Sequence, residues 1–104
     1  VIWYQGESNT GSGEWKKYTD LLKALIECWR EDFKDSDMPF IVVQIADFDE
    51  RKDEGWLGIQ KAQLAIRGKI SNTVVVVSAD VCESDNIHPK TKIKLANRIF
   101  DNLK

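Results

Sequence analysis

Two stretches of the chain are apolar almost without a break: Phe-Ile-Val-Val-Gln-Ile-Ala at 40–46 and Thr-Val-Val-Val-Val-Ser-Ala at 73–79. Strands that lack in-out alternation are typically buried on both faces of a parallel sheet. A shorter apolar run, Val1-Ile2-Trp3-Tyr4, reads as the end of another buried strand. Between these runs the spacing changes. Trp15, Tyr18, Leu21, Leu22, Leu25, Ile26, Trp29 and Phe33 recur at three and four residues, which predicts a helix over 14–33 with one buried face. Ser12 or Gly13 can cap its start, and Glu14 suits the positive end of its dipole. A second helix is predicted over 56–67, with Gly68 as its stop. A third is predicted over 90–103, burying Ile93, Ala96, Ile99, Phe100 and Leu103. The Gly-, Ser-, Asn- and Thr-rich run 5–13 and the charged run 47–55 read as loops.

Strand alternating with helix argues an α/β fold with parallel strands and right-handed crossovers. In such sheets ligands bind beyond the carboxyl ends of the strands. The residues at 5–9, the loop from Asp47 and the run 80–88 therefore share one sheet edge. This placement needs no motif.

Length and charge narrow the picture. The chain has 104 residues, room for one domain, and 42% of them are hydrophobic, enough for a modest core. It begins inside an apolar run without Met, and reads as a piece of a longer polypeptide. Fifteen basic and seventeen acidic residues give a net charge of -2 with no basic stripe, which argues against a nucleic-acid partner. No apolar run approaches the ~18 residues of a membrane span. Cys28 and Cys82 fit no metal or redox spacing, and Cys28 is expected to be a small buried helix residue. With a single His and no cysteine pair, no metal site and no cofactor is expected.

The chemistry concentrates in two short runs. His88, the only histidine, lies in Asp85-Asn86-Ile87-His88-Pro89. A carboxylate three residues before an imidazole can accept a hydrogen bond from Nδ1–H and hold the ring, so that Nε2 faces outward as a general base. Alone, the same run could be an Asp-capped turn with Pro89 opening a helix. The second run is Gly6-Glu7-Ser8-Asn9, after the first strand. Ser8 superficially copies a nucleophile block. Read so, the chain would be a minimal self-contained hydrolase; otherwise Ser8 is a turn residue packed behind its loop. Trp3 and Trp56 stand where they could approach the site, while Trp15 and Trp29 fall on the helix core face.

At these residues the chain resembles the SGNH (GDSL-like) hydrolase superfamily, and more narrowly the sialate O-acetylesterase and acetylxylan esterase group of carbohydrate esterases. The resembling residues are Trp3-Tyr4-Gln5-Gly6-Glu7-Ser8-Asn9, Trp29-Arg30, Pro39-Phe40, Val43-Gln44, Trp56, Ala62-Gln63, Asp85-Asn86-Ile87-His88-Pro89 and the stretch 92–98. They span nearly the whole chain in the family's order. Ala96 stands where the family often has Gly, and Gln60 where it often has Arg.

The resemblance implies a three-layer α/β/α flavodoxin-like SGNH hydrolase fold with a parallel sheet, here partial, with about three strands and three helices. Residues 1–104 would be the C-terminal portion of a single catalytic domain. It implies Asp85 and His88 as triad acid and base, and Gly6 and Asn9 lining the oxyanion hole. Gln5 and Glu7 would bind substrate or orient the loop. The nucleophilic serine would sit upstream in a GQS-type motif. The implied activity is serine-dependent hydrolysis of acetyl esters on sialic acids or plant polysaccharides, outside the cell or in the periplasm. The implied partners are an acetylated carbohydrate and the upstream half of the domain. In the superfamily's strand order the missing first strand lies beside Val1–Tyr4, so an open strand edge could drive homo-oligomers. The competing class is a non-catalytic glycan-binding or interaction module derived from an esterase.

Overall fold

The computed structural model describes residues 1–103. Strands β1 (Ile2–Trp3), β2 (Phe40–Val43) and β3 (Thr73–Val76) alternate with helices α1 (Tyr18–Asp32), α2 (Glu54–Leu64) and α3 (Ile93–Asp101). The sheet order is β1-β2-β3 and both pairings are parallel. Ile2 stands opposite Ile41, and Phe40 opposite Thr73.

All four residues of β2 are buried, as an uninterrupted apolar run predicts. Their side chains part to opposite faces. Phe40 and Val42, with Val75, join Leu22 and Ile26 of α1 and Ile59 of α2. Ile41 and Val43, with Val76, join Leu95 of α3. Two helices on one face and one on the other make the α/β/α layering. β1 lies at the edge, and Ile2 there is 58% exposed.

The ladder stops at Val43, yet Gln44, Ile45 and Ala46 stay buried. Buried backbone must find partners, and here side chains provide many of them. Gln63 Oε1 accepts from Ile45 N at 2.9 Å, and Gln60 Nε2 donates to Ile45 O at 3.1 Å. Ser78 Oγ donates to Gln44 O at 2.6 Å, and Trp56 Nε1 to Ala46 O at 3.1 Å. The carboxyl end of β2 is thus held by α2 and by the residues after β3.

Four expectations need correction. The first helix opens as a 3-10 turn, Glu14–Lys17, before α1. That turn seats Trp15 on Gly58, where a Cβ would stand 2.4 Å from the indole. Leu21 and Phe33 are 60% and 70% exposed, because the apolar stripe is wider than the face that α1 presents to the core. Cys28 is exposed rather than buried; it lies two residues past Ile26, on the opposite side of the helix. In α3, Ile93 and Phe100 are 78% and 59% exposed, Ala96 is exposed, and Leu103 beyond the helix is 59% exposed. Leu95 is the buried residue, with Ile99 packed beside it. Arg98, one turn from Leu95, sets this rotation: Nη1 donates to Val77 O at 2.7 Å, and the guanidinium grips Asp80 with two bonds of 2.6 and 2.8 Å.

Candidate active site

The loop after β1 turns sharply at Gly6, where φ is 149°. A Cβ here would stand 2.9 Å from both Gln63 Nε2 and Ile59 Cγ2, so glycine is required on both counts. Glu7–Asn9 then form a single 3-10 turn, closed by Asn9 N donating to Gly6 O at 3.0 Å. Within it Ser8 is exposed, not packed behind the loop.

A buried network fixes this loop from below. Gln63, wholly buried, donates from Nε2 to Gln5 O at 2.7 Å. Tyr18 Oη donates to Gln5 O at 2.9 Å and to Gln5 Oε1 at 3.1 Å, and accepts from Trp3 Nε1 at 3.2 Å. Burial pushes the Tyr18 hydroxyl above its ordinary pKa of 10.0, so it keeps its proton. Gln5 passes the constraint outward: its Nε2 donates to Asn9 Oδ1 at 2.5 Å. With Oδ1 taken, Asn9 offers Nδ2 as a donor. Gln5 and Asn9 line a pocket of about 110 Å³ with Trp3 and Tyr18.

The loop after β3 approaches the same edge. A cleft of about 240 Å³ is lined by Tyr4, Glu7, His88, Pro89 and Lys92. The two motif runs therefore meet: Glu7 from one and His88 from the other share one cleft. Lys92 crosses above, with Nζ 3.1 Å from Tyr4 Oη and 4.6 Å from the ring centre. Asp85 and His88 are both exposed, and among the described residues no hydrogen bond joins their side chains. Asp85 lines neither pocket, and Gly6 is buried below the turn.

The His88 loop is built from its own polar groups. Asn86 Oδ1 accepts from His88 N at 2.9 Å. The Glu83 carboxylate accepts from Lys90 N and Thr91 N. A hydrogen bond with the Thr91 side chain first, and backbone bonds after it, hold the carboxyl at about 2, well below the usual 4.5. Ser84 O accepts from Asp49 N at 2.8 Å, tying the loop to the one after β2. In that neighbouring loop Arg51 pairs with Asp53 at 2.6 Å, holding the carboxyl at about 2, and reaches Thr10 Oγ1 at 3.0 Å.

A family model described as carbohydrate esterase, sialic acid-specific acetylesterase, matches residues 1–103. The chain belongs to this carbohydrate esterase family. The fold agrees. A carbohydrate acetylesterase from Xanthomonas citri superposes with a TM-score of 0.85 at 31% identity, over 93% of this chain and 23% of that one. A protein from Arabidopsis thaliana superposes with a TM-score of 0.75 at 29% identity, over 95% of this chain and 40% of that one. The chain thus spans about a quarter and two-fifths of these two structures. No curated protein sequence matches it.

Sequence reasoning named Gln5, Gly6, Glu7, Asn9, Asp85 and His88. It did not see the roles of Gln63 and Tyr18 as braces, Glu83 as a clamp, or Tyr4 and Lys92 as cleft walls. Tyr4, Gln63 and the stretch 92–98 stood among the resembling residues, but without these roles. Among the described residues no group of three or more His, Cys, Asp or Glu side chains could hold a metal ion. No described helix is long and apolar enough to cross a membrane.

Proposed function

We propose that this chain supplies the base and oxyanion half of a serine-dependent carbohydrate O-acetylesterase, acting on acetyl esters of sialic acid or plant polysaccharide sugars. The carrying observation is the cleft that Glu7 and His88 share, two residues along the same turn from an Asn9 whose amide oxygen is already tied. Residues 1–104 are in this reading the C-terminal portion of a single SGNH catalytic domain, whose nucleophilic serine lies upstream.

His88 Nε2 takes the proton as serine Oγ attacks the acetyl carbonyl. The oxygen becomes an anion, which Asn9 Nδ2 and the Gly6 backbone receive. His88 returns the proton to the departing sugar oxygen. Water, deprotonated by the same imidazole, then attacks the acetyl-serine; the C–Oγ bond breaks, the imidazolium returns the proton to serine Oγ, and acetate leaves. Asp85 belongs to the same loop as His88, and its role requires its carboxylate to come within hydrogen-bond reach of Nδ1. Gln5 holds the donor group of Asn9 outward. Glu7 borders the cleft, where sugar hydroxyls can hydrogen-bond to it. Carbohydrate substrates of this kind fit export to the periplasm or beyond the cell.

A serine-reactive fluorophosphonate probe tests the assignment, with adducts read by intact mass and peptide mapping. The chain 1–104 is expected to stay unmodified. The longer polypeptide is expected to label at an upstream serine, and His88→Ala to lose that labelling. An adduct on Ser8 that depends on His88 would instead make the chain its own esterase and overturn the assignment of the upstream nucleophile.

A further inference from the structure

We propose that Glu83 is a positioning residue for His88: its carboxylate clamps the two ends of the loop 84–89 and so sets where the imidazole is presented. The proposal rests on the reading of His88 as the base. Pro89 is buried and has no N–H, so Lys90 carries the first backbone donor after the histidine. Glu83 Oε1 accepts from that donor and also from Thr91 N at 3.2 Å, while Oε2 lies 3.2 Å from the same Thr91 N. One side chain seven residues upstream thus holds both amides that follow the His88-Pro89 pair. These amides lie just ahead of α3, which begins at Ile93 and is anchored through Arg98 to Val77 and Asp80. Glu83 therefore ties the loop to a fixed element.

Two further contacts keep the loop from sliding: Asn86 Oδ1 to His88 N and Ser84 O to Asp49 N. Neither joins the loop's two ends; Cys82 Sγ, 3.5 Å from Thr91 O, does, but a thiol is a weak donor. The imidazole itself has no side-chain hydrogen bond to Asp85, so its position depends on its backbone. Bonds from amides to a carboxylate are roughly twice as strong as neutral ones, which suits a short loop in which Pro89 is the one buried residue.

The test uses the complete polypeptide. Glu83→Ala is expected to lower kcat for an acetylated sugar about 10–100-fold with KM little changed, the scale of misplacing a catalytic group by about 1 Å. Hydrogen exchange at Lys90 and Thr91 should rise in the same variant. Glu83→Gln keeps an acceptor oxygen where Oε1 stands and should restore most of both. Unchanged exchange in Glu83→Ala would overturn the clamp, whatever His88 does. Faster exchange with unchanged kcat would overturn the positioning role. His88→Ala, run alongside, separates the two ideas: full activity there would remove the base, and with it anything for Glu83 to position. If Glu83→Ala does not fold, Glu83→Gln serves alone: kcat far below wild type with exchange at Lys90 and Thr91 unchanged would overturn the proposal.

Discussion

Replacing Gln63 with leucine asks how firmly the core holds the candidate oxyanion loop. Gln63 is 0% exposed and bonds both elements that meet there. Its Oε1 takes Ile45 N at 2.9 Å; its Nε2 reaches Gln5 O at 2.7 Å and Tyr18 Oη at 3.3 Å. Leucine is similar in size, so little cavity forms, but it makes none of these bonds. Ile45 N would be left buried without a partner. That costs ~1–3 kcal/mol. Gln5 O keeps the Tyr18 hydroxyl, so its loss is smaller, ~0.5–1.5 kcal/mol for one net hydrogen bond. Gln63→Leu should therefore lose about 1.5–4.5 kcal/mol, the sum of those two ranges. With a urea slope of ~2 kcal/mol/M, the midpoint falls by about 1–2 M. The assay is urea denaturation of the complete polypeptide followed by circular dichroism, with hydrogen exchange at Ile45. Turnover should fall as well, since Gln5 transmits the constraint to Asn9. An unchanged midpoint, or Ile45 exchange as slow as in wild type, would refute the reasoning.

Asn9→Ala should lower turnover of the complete enzyme by roughly 10²–10³ without unfolding it; near-full turnover would remove the oxyanion role. The Glu83 clamp sets a pH window. Its carboxyl is lowered in the folded protein to about 2 from 4.5, so its contribution is whole above 4.5 and fades as pH falls toward 2. Exchange protection at Lys90 and Thr91, corrected for the intrinsic rate, should be flat from neutrality to about pH 5; loss of protection already above pH 5 would point to another group. The open edge of β1, with Ile2 58% and Val1 41% exposed, should make the isolated chain dimerise, aggregate or bind an upstream fragment. Light scattering that shows a stable monomer would count against this.

Much of the fold was legible because parallel strands leave a coarse mark. The runs at 40–46 and 73–79 could only be satisfied by burial on both faces, and β2 is buried throughout. The sheet edge shared by Glu7 and His88 followed from strand order alone, before any motif was weighed. Helix rotation was harder. The sequence around α3 carries two apolar stripes, and periodicity cannot say which meets the sheet. Arg98 decides it, by gripping Val77 O and Asp80 across a distance in sequence that no local pattern spans. Strand length was also misjudged, because the apolar residues after Val43 remain buried while their backbone partners change from strand to side chain.

The amino-acid sequence by itself determined the layer type, the parallel sheet and the two runs proposed to carry the chemistry, because burial and turn formation act through neighbours along the chain. Only the tertiary structure decided what each side chain does there. Gln63 meets Gln5 across 58 residues, Lys92 meets Tyr4 across 88, and Glu83 folds back on amides seven and eight residues ahead. Such contacts depend on where the packed elements bring their ends, and hydrogen bonds acting over about 3 Å are settled only once that packing is complete.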